Sequence, residues 1–488
     1  MQILICIVKQ NKITWADKLI LENEMFALKY EVLAGLENIM KKQAVYSMTE
    51  GSPARLLLKF TLPMLIGNLF QQFYNMVDSI VVGRFVGSNA LASVGATGSL
   101  NFLFFAMSFG ISAGVGVVVS QYFGADRMEM VEKGIINGMY LLAVVSILMG
   151  VIGIASARWV LVLLDTPEKI LDDAVIYMRV SCAGILAIAA YNGVASILRA
   201  LGDSKTPLYF MIAACFVNIV LDLLFVIAFE WSVFGVALAT VIAQLVAALG
   251  AFLYALNQVA CFRIKKENRP VRKDIIVRCF TLGLPIALQN ALIGISCIFL
   301  QRVVNGFGES VVAANTALGR IEQLVQQPYN SLGAALTAYT GQNIGAGRTD
   351  RVKQGYKAAF WCVVVFSIIM LVPCQLLGKQ IVSVFVTEPE VIAIGAKGLS
   401  ITSLFYFFLG MIYVARSVLN GAGDAVFAMV NGLMEVAGRV GFAIPLTKIP
   451  FIGVWGIFFT TGFTWALTAI VSMIRYHKGK WEFDNSIP

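Results

Sequence analysis

Polar residues interrupt an apolar stretch, NLFQQFYNMVDSIVVG, between Asn68 and Gly83. Gln71, Tyr74, Asn75 and Asp78 are spaced three, one and three apart. On a helix, residues three and four apart are neighbours, so the four share one face, and Asn68 extends the stripe by a turn. A carboxylate facing lipid costs several kcal/mol, so such a stripe must face protein or a water-filled cavity. The idea recurs in CFVNIVLDLLFVIAF (Cys215–Phe229), where Asn218 and Asp222 stand at i and i+4. The next apolar run, GVALATVIAQ, brings Thr240 with Gln244 one turn on. Asp78, Asn218, Asp222 and Thr240 offer oxygen ligands only, which suits a hard cation such as Na⁺. Two carboxylates placed together also favour holding a proton. The residue types leave both ions open.

The later part of the chain does not copy this chemistry. The position matching Asp78 is Leu300. GRIEQLVQQPYNSLG (Gly319–Gly333) carries Arg320, Glu322, Gln326 and Gln327, with Glu322 readable as a second cation site or as half of a structural ion pair. Asn431, Glu435 and Arg439 share one helical face, and Glu435 and Arg439 at i and i+4 can neutralise each other. Together with Gln71, Tyr74, Asn75 and Gln244, the residues Gln289 and Glu322 complete the candidates for lining a substrate cleft.

The elements that must position these groups are membrane helices. Of the 488 residues, 59% are hydrophobic and 13% charged, where a soluble protein carries about 25% charged residues. The apolar runs are continuous, as in LLAVVSILMGVIGIASARWVLVLL (Leu141–Leu164). A β-barrel would alternate apolar and polar residues. Spans are expected near 55–82, 88–121, 131–158, 173–200, 206–229 and 233–258, and again near 275–304, 310–343, 350–375, 390–420, 425–447 and 452–476.

The net charge of +9 follows from basic residues collecting in cytoplasmic loops. Arg263, Lys265, Lys266, Arg269, Arg272 and Lys273 fill the connector after the sixth span, and Arg348, Arg351, Lys353 and Lys357 follow the eighth. Asp165, Glu168, Asp172 and Asp173 mark an external loop, and Arg475, Lys478 and Lys480 return the tail inside. Both termini are therefore expected in the cytoplasm and the chain in the cell membrane. No basic–aromatic interleaving of the kind used on nucleic acid occurs. The eight cysteines form no CxxC pair, and the one histidine, His477, lies beyond the last apolar run, so no zinc site or histidine proton relay is indicated.

The two halves resemble each other at an offset near 222 residues. FTLPMLIGN (Phe60–Asn68) matches TLGLPIALQN (Thr281–Asn290), and SQYFGADR (Ser120–Arg127) matches GQNIGAGR (Gly341–Arg348). LLDTPEKI (Leu163–Ile170) matches FVTEPEVI (Phe385–Ile392), and RALGDSK (Arg199–Lys205) matches NGAGDAV (Asn420–Val426). The expected fold is all-α, a polytopic membrane protein with twelve transmembrane helices in two six-helix bundles related by a parallel repeat. Such repeats are common in secondary transporters, with the site near the midplane between them. The expected divisions are a leader at 1–47, bundles at 48–258 and 275–476, a basic connector at 259–274 and a tail at 477–488. The first 39 residues are mixed and moderately polar, and a start at Met40 is the expectation for the natural chain.

With these residues assembled, the chain resembles the multidrug and toxic compound extrusion (MATE) family. The resemblance rests on MTEGSPARLLLKFTLPMLIGN, FYNMVDSIVVGRFVG, the GQNIGAGR loop and the NxxxD pattern of the fifth span, and covers about residues 48–476. It implies two six-helix bundles around a central cleft and export of organic cations in exchange for Na⁺ or H⁺, with no other cofactor. It also implies a DinF-like first-half ion site, onto which Asp78, Asn218, Asp222 and Thr240 fall. The seventh and tenth spans lack the acids that the other main branch of the family uses. The expected partners are a small cationic substrate and the bilayer, for a monomeric chain without nucleic acid or enzymatic activity. The alternative is an exporter of lipid-linked sugars from the same wider superfamily, which the arginines of the second half leave open.

Overall fold

The computed structural model describes residues 47–479 and Trp481. The expected leader, apart from Ser47, and Lys480 of the tail lie outside the described residues. Among those described there is no strand, and helices follow one another with short connections. In order these are α1 (Pro53–Val81), α2 (Ser88–Gly124), α3 (Met128–Leu163), α4 (Glu168–Ala183), α5 (Ile185–Ala200), α6 (Lys205–Leu223) and α7 (Ser232–Gln258). After the connector come α8 (Lys273–Asn305), α9 (Glu309–Gly345), α10 (Thr349–Leu376), the short α11 (Gly378–Ser383), α12 (Pro389–Ser403), α13 (Tyr406–Ala422), α14 (Val426–Lys448) and α15 (Gly456–His477).

Eight of these helices are long and apolar enough to cross a membrane, or ten if α4 with α5 and α12 with α13 each count as one bent span. The stretches expected as single spans at 173–200 and 390–420 are broken: α4 and α5 meet at 42°, α12 and α13 at 49°. The first break falls at a glycine. Gly184 separates α4 from α5, where a Cβ would meet Val241 Cγ2 at 2.2 Å, and glycine in a helix interior weakens it. Helices α1 and α9 stand outside the set of eight because their polar residues lower the hydropathy. That polarity is where the site lies.

Helices that would face lipid expose apolar side chains. On α3, Val144, Leu148 and Val151 are exposed, and on α10 so are Trp361, Val365, Ile368 and Ile369. In water such a surface would be a large aggregation-prone patch, whereas in hydrocarbon it is the ordinary exterior.

Glycines decide how the two halves meet. A Cβ on Gly114 would sit 2.6 Å from the Cys279 carbonyl and the Gly283 nitrogen, so α2 and α8 pack backbone against backbone. Small residues permit such close approach between membrane helices. At the far ends of α2 and α9, a Cβ on Gly124 would meet the Gln342 carbonyl at 1.9 Å, and one on Gly345 would meet the Gln121 carbonyl at 2.0 Å. At the opposite ends Gly95, Gly98 and Gly319 have nothing within 4 Å. The halves therefore close at the GADR and GAGR end and part towards the other.

The segment before α1 is stitched to the second half. Asn343 Nδ2 donates to the Met48 carbonyl at 3.2 Å, Arg348 Nη1 to the Thr49 carbonyl at 2.8 Å and Arg351 Nη2 to the Gly51 carbonyl at 3.0 Å. The basic connector is likewise pinned. Glu132 Oε2 accepts from the Lys265 backbone nitrogen at 3.2 Å and from Asn268 Nδ2 at 2.9 Å, while Asn137 Oδ1 accepts from the Arg272 nitrogen at 2.7 Å.

Candidate functional site

Helices α1, α6 and α7 converge on the first-half residues. The Asp78 carboxylate lies beside the Asp222 side chain and the Thr240 hydroxyl. Asn218 Nδ2 donates to Thr240 Oγ1 at 3.3 Å, which leaves Asn218 Oδ1 free. Asp222 and Asn218 are 0% and 1% exposed. Asp78 Oδ1, Asn218 Oδ1 and both oxygens of Asp222 are buried and accept no hydrogen bond.

Four orphaned acceptor oxygens in one buried cluster are far outside ordinary protein practice, because buried polar groups are nearly always paired. Two adjacent carboxylates removed from water cannot both stay charged without a compensating cation or proton. The cluster fits a small cation or a proton as cargo, since it supplies several oxygen acceptors and no competing basic side chain. No group of three or more histidine, cysteine, aspartate or glutamate residues suited to a metal ion occurs among the described residues. Any Na⁺ here would thus be held by two carboxylates together with the amide and hydroxyl oxygens.

Two local features went unread in the sequence. Each acidic helix runs into a π-helical turn directly after its carboxylate: Val82–Val86 follows α1, and Leu224–Ala228 follows α6. Such turns break the regular ladder and recur at functional sites. Tyr177 of α4 is the second: it lies close enough to feel the charge of both Asp78 and Asp222. Its only signal in the sequence is its place on α4, three residues after the buried Ala174 and next to the buried Met178.

The other sequence candidates divide. Tyr74, Asn218, Thr240 and Gln244 line a narrow crevice closed to a water-sized sphere, and Gln71 lies beside Tyr74. Asn75 is exposed and away from these contacts. Asn68, at the start of the stripe, donates through Nδ2 to Ser331 Oγ of α9 at 3.0 Å, tying the halves together. Gln289 is 1% exposed and packs against Gly432 of α14, so it supports the α8–α14 contact rather than lining the cleft. Glu322 borders a cavity of about 860 Å³ that is lined mainly by second-half residues, with Gly95 and Gly98 of α2 at its border, and is far larger than the first-half crevice.

In that cavity Glu435 and Arg439 do pair, at 3.5 Å, and both are largely buried. Arg439 Nη1 also donates to Ser296 Oγ and, at 3.4 Å, to the Ile293 carbonyl. The Arg416 guanidinium lies over the Tyr413 ring, 4.8 Å from its centre.

The MatE family profile matches this chain twice, at residues 63–224 and 285–442. The chain belongs to the MATE family of membrane transporters. Among its relatives, the probable multidrug resistance protein YpnP of Bacillus subtilis is 28% identical over 440 residues, covering 90% of this chain and 98% of the relative. The multidrug export protein MepA of Staphylococcus saprophyticus is 23% identical over 436 residues, covering 88% and 93%. A FAD transporter of Shewanella oneidensis is 22% identical over 390 residues, covering 78% and 85%. In fold, the chain is similar to a MATE family multidrug resistance transporter solved in an outward-facing conformation, with a TM-score of 0.83 and 22% identity over 90% of this chain and 99% of that one. It is equally similar to a MOP superfamily transporter from Pyrococcus furiosus, with a TM-score of 0.84 and 21% identity over 91% and 99%. Membership of the MATE family thus accounts for a multi-pass helical chain that serves transport rather than catalysis.

Proposed function

We propose that this MATE protein is a secondary active antiporter that exports lipophilic organic cations or drugs in exchange for Na⁺ or H⁺. The observation that carries this reading is the buried Asp78–Asp222 cluster with its unpartnered oxygens. Several relatives named as multidrug resistance or export proteins support the drug-export part.

The antiporter has twelve crossings in two six-helix bundles related by a parallel repeat. Support comes from the twofold family match and from the equal lengths of α2 and α9, 37 residues each. In this reading the closed GADR and GAGR end and both termini face the cytoplasm across the cell membrane, which the basic loops support, and the protein acts as a monomer. Asp78, Asn218, Asp222 and Thr240 form a DinF-like ion site, and Gln71, Tyr74 and Gln244 border it.

The cycle follows from two-state coupling. Open to the outside, the cleft lets an external ion reach Asp78 and Asp222. Neutralising them removes the charge that held a cationic drug. The drug leaves, and the unloaded halves reopen inward with the ion aboard. Exchange requires that ion and drug favour different states, since a ligand that binds both states equally shifts nothing.

The rival reading, export of lipid-linked sugars, rests on the arginines around the second-half cavity. The deciding experiment measures ethidium export from inverted vesicles under an imposed Na⁺ or H⁺ gradient, with Asp78→Asn alongside. Gradient-driven export by the wild type and none by the variant is expected. Gradient-independent flipping of a phospholipid-linked sugar, with no ethidium export, would favour the rival.

A further inference from the structure

The cavity of about 860 Å³, lined mainly by second-half residues with Gly95 and Gly98 of α2 at its border, is not used by the ion cycle. Three arginines and two carboxylates border it: Arg320 of α9, Arg416 of α13 and Arg439 of α14, with Glu322 and Glu435. Their formal charges sum to +1, opposite in sign to the Asp78–Asp222 cluster. The charges are not evenly matched in space. Arg439 is 7% exposed and committed to Glu435 and Ser296, although its Nε atom has no partner. Glu322 lies beside the Thr402 hydroxyl, with its Oε1 unpartnered. Arg320 and Arg416 have no carboxylate within 4 Å among the described residues.

A guanidinium facing a cavity without a counter-ion has its strongest complement in a carboxylate or phosphate, which it can bind through two parallel N–H donors. Arg416 is held for that role: its plane rests on Tyr413, whose hydroxyl donates to Gln326 Oε1 at 3.3 Å. Trp465, Phe458 and Leu409 supply apolar wall for the body of such a ligand.

We propose that this cavity binds the anionic group, carboxylate or phosphate, of an amphipathic substrate, with Arg320 and Arg416 as its contacts. The inference rests on the export reading for its physiological meaning and extends the substrates from lipophilic cations to anions and zwitterions. A zwitterion would place its positive end towards the first-half acids.

The test uses two pairs of fluorescent probes that differ only in the anion, with the full-length protein purified in detergent. Rhodamine 19 and its ethyl ester rhodamine 6G report on a carboxylate. Flavin mononucleotide and riboflavin report on a phosphate. Fluorescence polarisation should show about tenfold tighter binding of the anionic member of at least one pair, as expected for one charge-assisted contact. Which pair responds identifies the source. Arg320→Gln with Arg416→Gln should erase the preference and leave rhodamine 6G binding intact, which also reports that the variant is folded. Arg320→Lys with Arg416→Lys should keep part of it. No preference in the wild type, or an undiminished preference in the glutamine variant, overturns the proposal. Rhodamine 6G efflux from cells judges the export reading separately, because that probe carries no anion.

Discussion

Gln121 of α2 donates through Nε2 to the Gly421 carbonyl at the end of α13, 3.0 Å away across the junction of the halves. Gln342 of α9 does the converse, donating to the Ala200 carbonyl at the end of α5 at 2.8 Å. Gln121 and Gln342 occupy matching places in SQYFGADR and GQNIGAGR, and Ala200 and Gly421 in RALGD and NGAGD. Each half thus caps a helix of the other. The remaining amide oxygens are filled as well: Arg278 Nη2 donates to Gln121 Oε1 at 2.7 Å and the Met48 nitrogen to Gln342 Oε1 at 2.7 Å. All of this lies at the closed end, so these bonds must break whenever the cleft opens that way.

Replacing both glutamines with alanine should therefore favour the alternately open state. Each lost bond contributes about 1 kcal/mol, so the two together shift the balance by roughly tenfold or more. Cys297, exposed in the second-half cavity, is a native reporter. A membrane-impermeant maleimide should label it faster from the GADR and GAGR side in the double variant, and more slowly from the other side. An unchanged ratio of the two rates would assign the clasp no part in gating.

Asp222 and Asn218 should separate by role. Asp222→Asn removes one of the two carboxylates and is expected to abolish gradient-driven export while leaving the protein folded, because the change relieves charge in a buried site. Asn218→Ala keeps both carboxylates and removes one oxygen ligand together with the bond to Thr240. It should raise the ion concentration needed for half-maximal export severalfold, with little change in the maximal rate. Export assayed over a series of Na⁺ concentrations, and over a series of pH gradients, distinguishes these outcomes. Equal effects of the two substitutions would mean that the cluster works as a structural knot.

Much of this was legible in the sequence. The i, i+3 and i, i+4 spacing around Asp78 and Asp222 has one reading on a helix, and the cost of a charge in hydrocarbon forces such faces inward. Each expected apolar run has helix under it. What was missed depends on three-dimensional crowding. The bends between α4 and α5 and between α12 and α13 arise inside continuously apolar runs, where hydropathy is blind to a broken ladder. Gln289 carried the same polar signal as Gln71, yet the packing of α8 on α14 buries it. The clasp could have been suspected from the matched glutamines, but its acceptors are backbone carbonyls, which no residue type announces.

The crossing of α2 and α9 should tolerate no side chain. Gly124→Leu would drive a Cβ into the Gln342 carbonyl, and Gly345→Leu would do the same to Gln121. Backbone cannot retreat as a flexible side chain can, so overpacking here should cost about 1–3 kcal/mol or more. Either variant should lower the melting temperature of the detergent-purified protein and suppress export. Gly98→Leu, at the open end where nothing lies within 4 Å, is the control and should melt within a degree or two of the wild type. Comparable losses for Gly98→Leu and Gly124→Leu would contradict the closed-end geometry.

Glu435 and Arg439 pair one turn apart inside α14 while their side chains stay about 8% exposed. Removing one member of a buried pair leaves an uncompensated charge and commonly costs about 3–5 kcal/mol, whereas replacing both by apolar residues is often neutral. Arg439→Met alone should therefore destabilise strongly, by stranding Glu435 and freeing Ser296 of its donor. Glu435→Leu combined with Arg439→Met should recover most of that stability. Thermal unfolding of the four members of the cycle measures the coupling directly. A double variant no more stable than Arg439→Met would show that the arginine acts through Ser296 and the Ile293 carbonyl, and that its pairing with Glu435 is incidental.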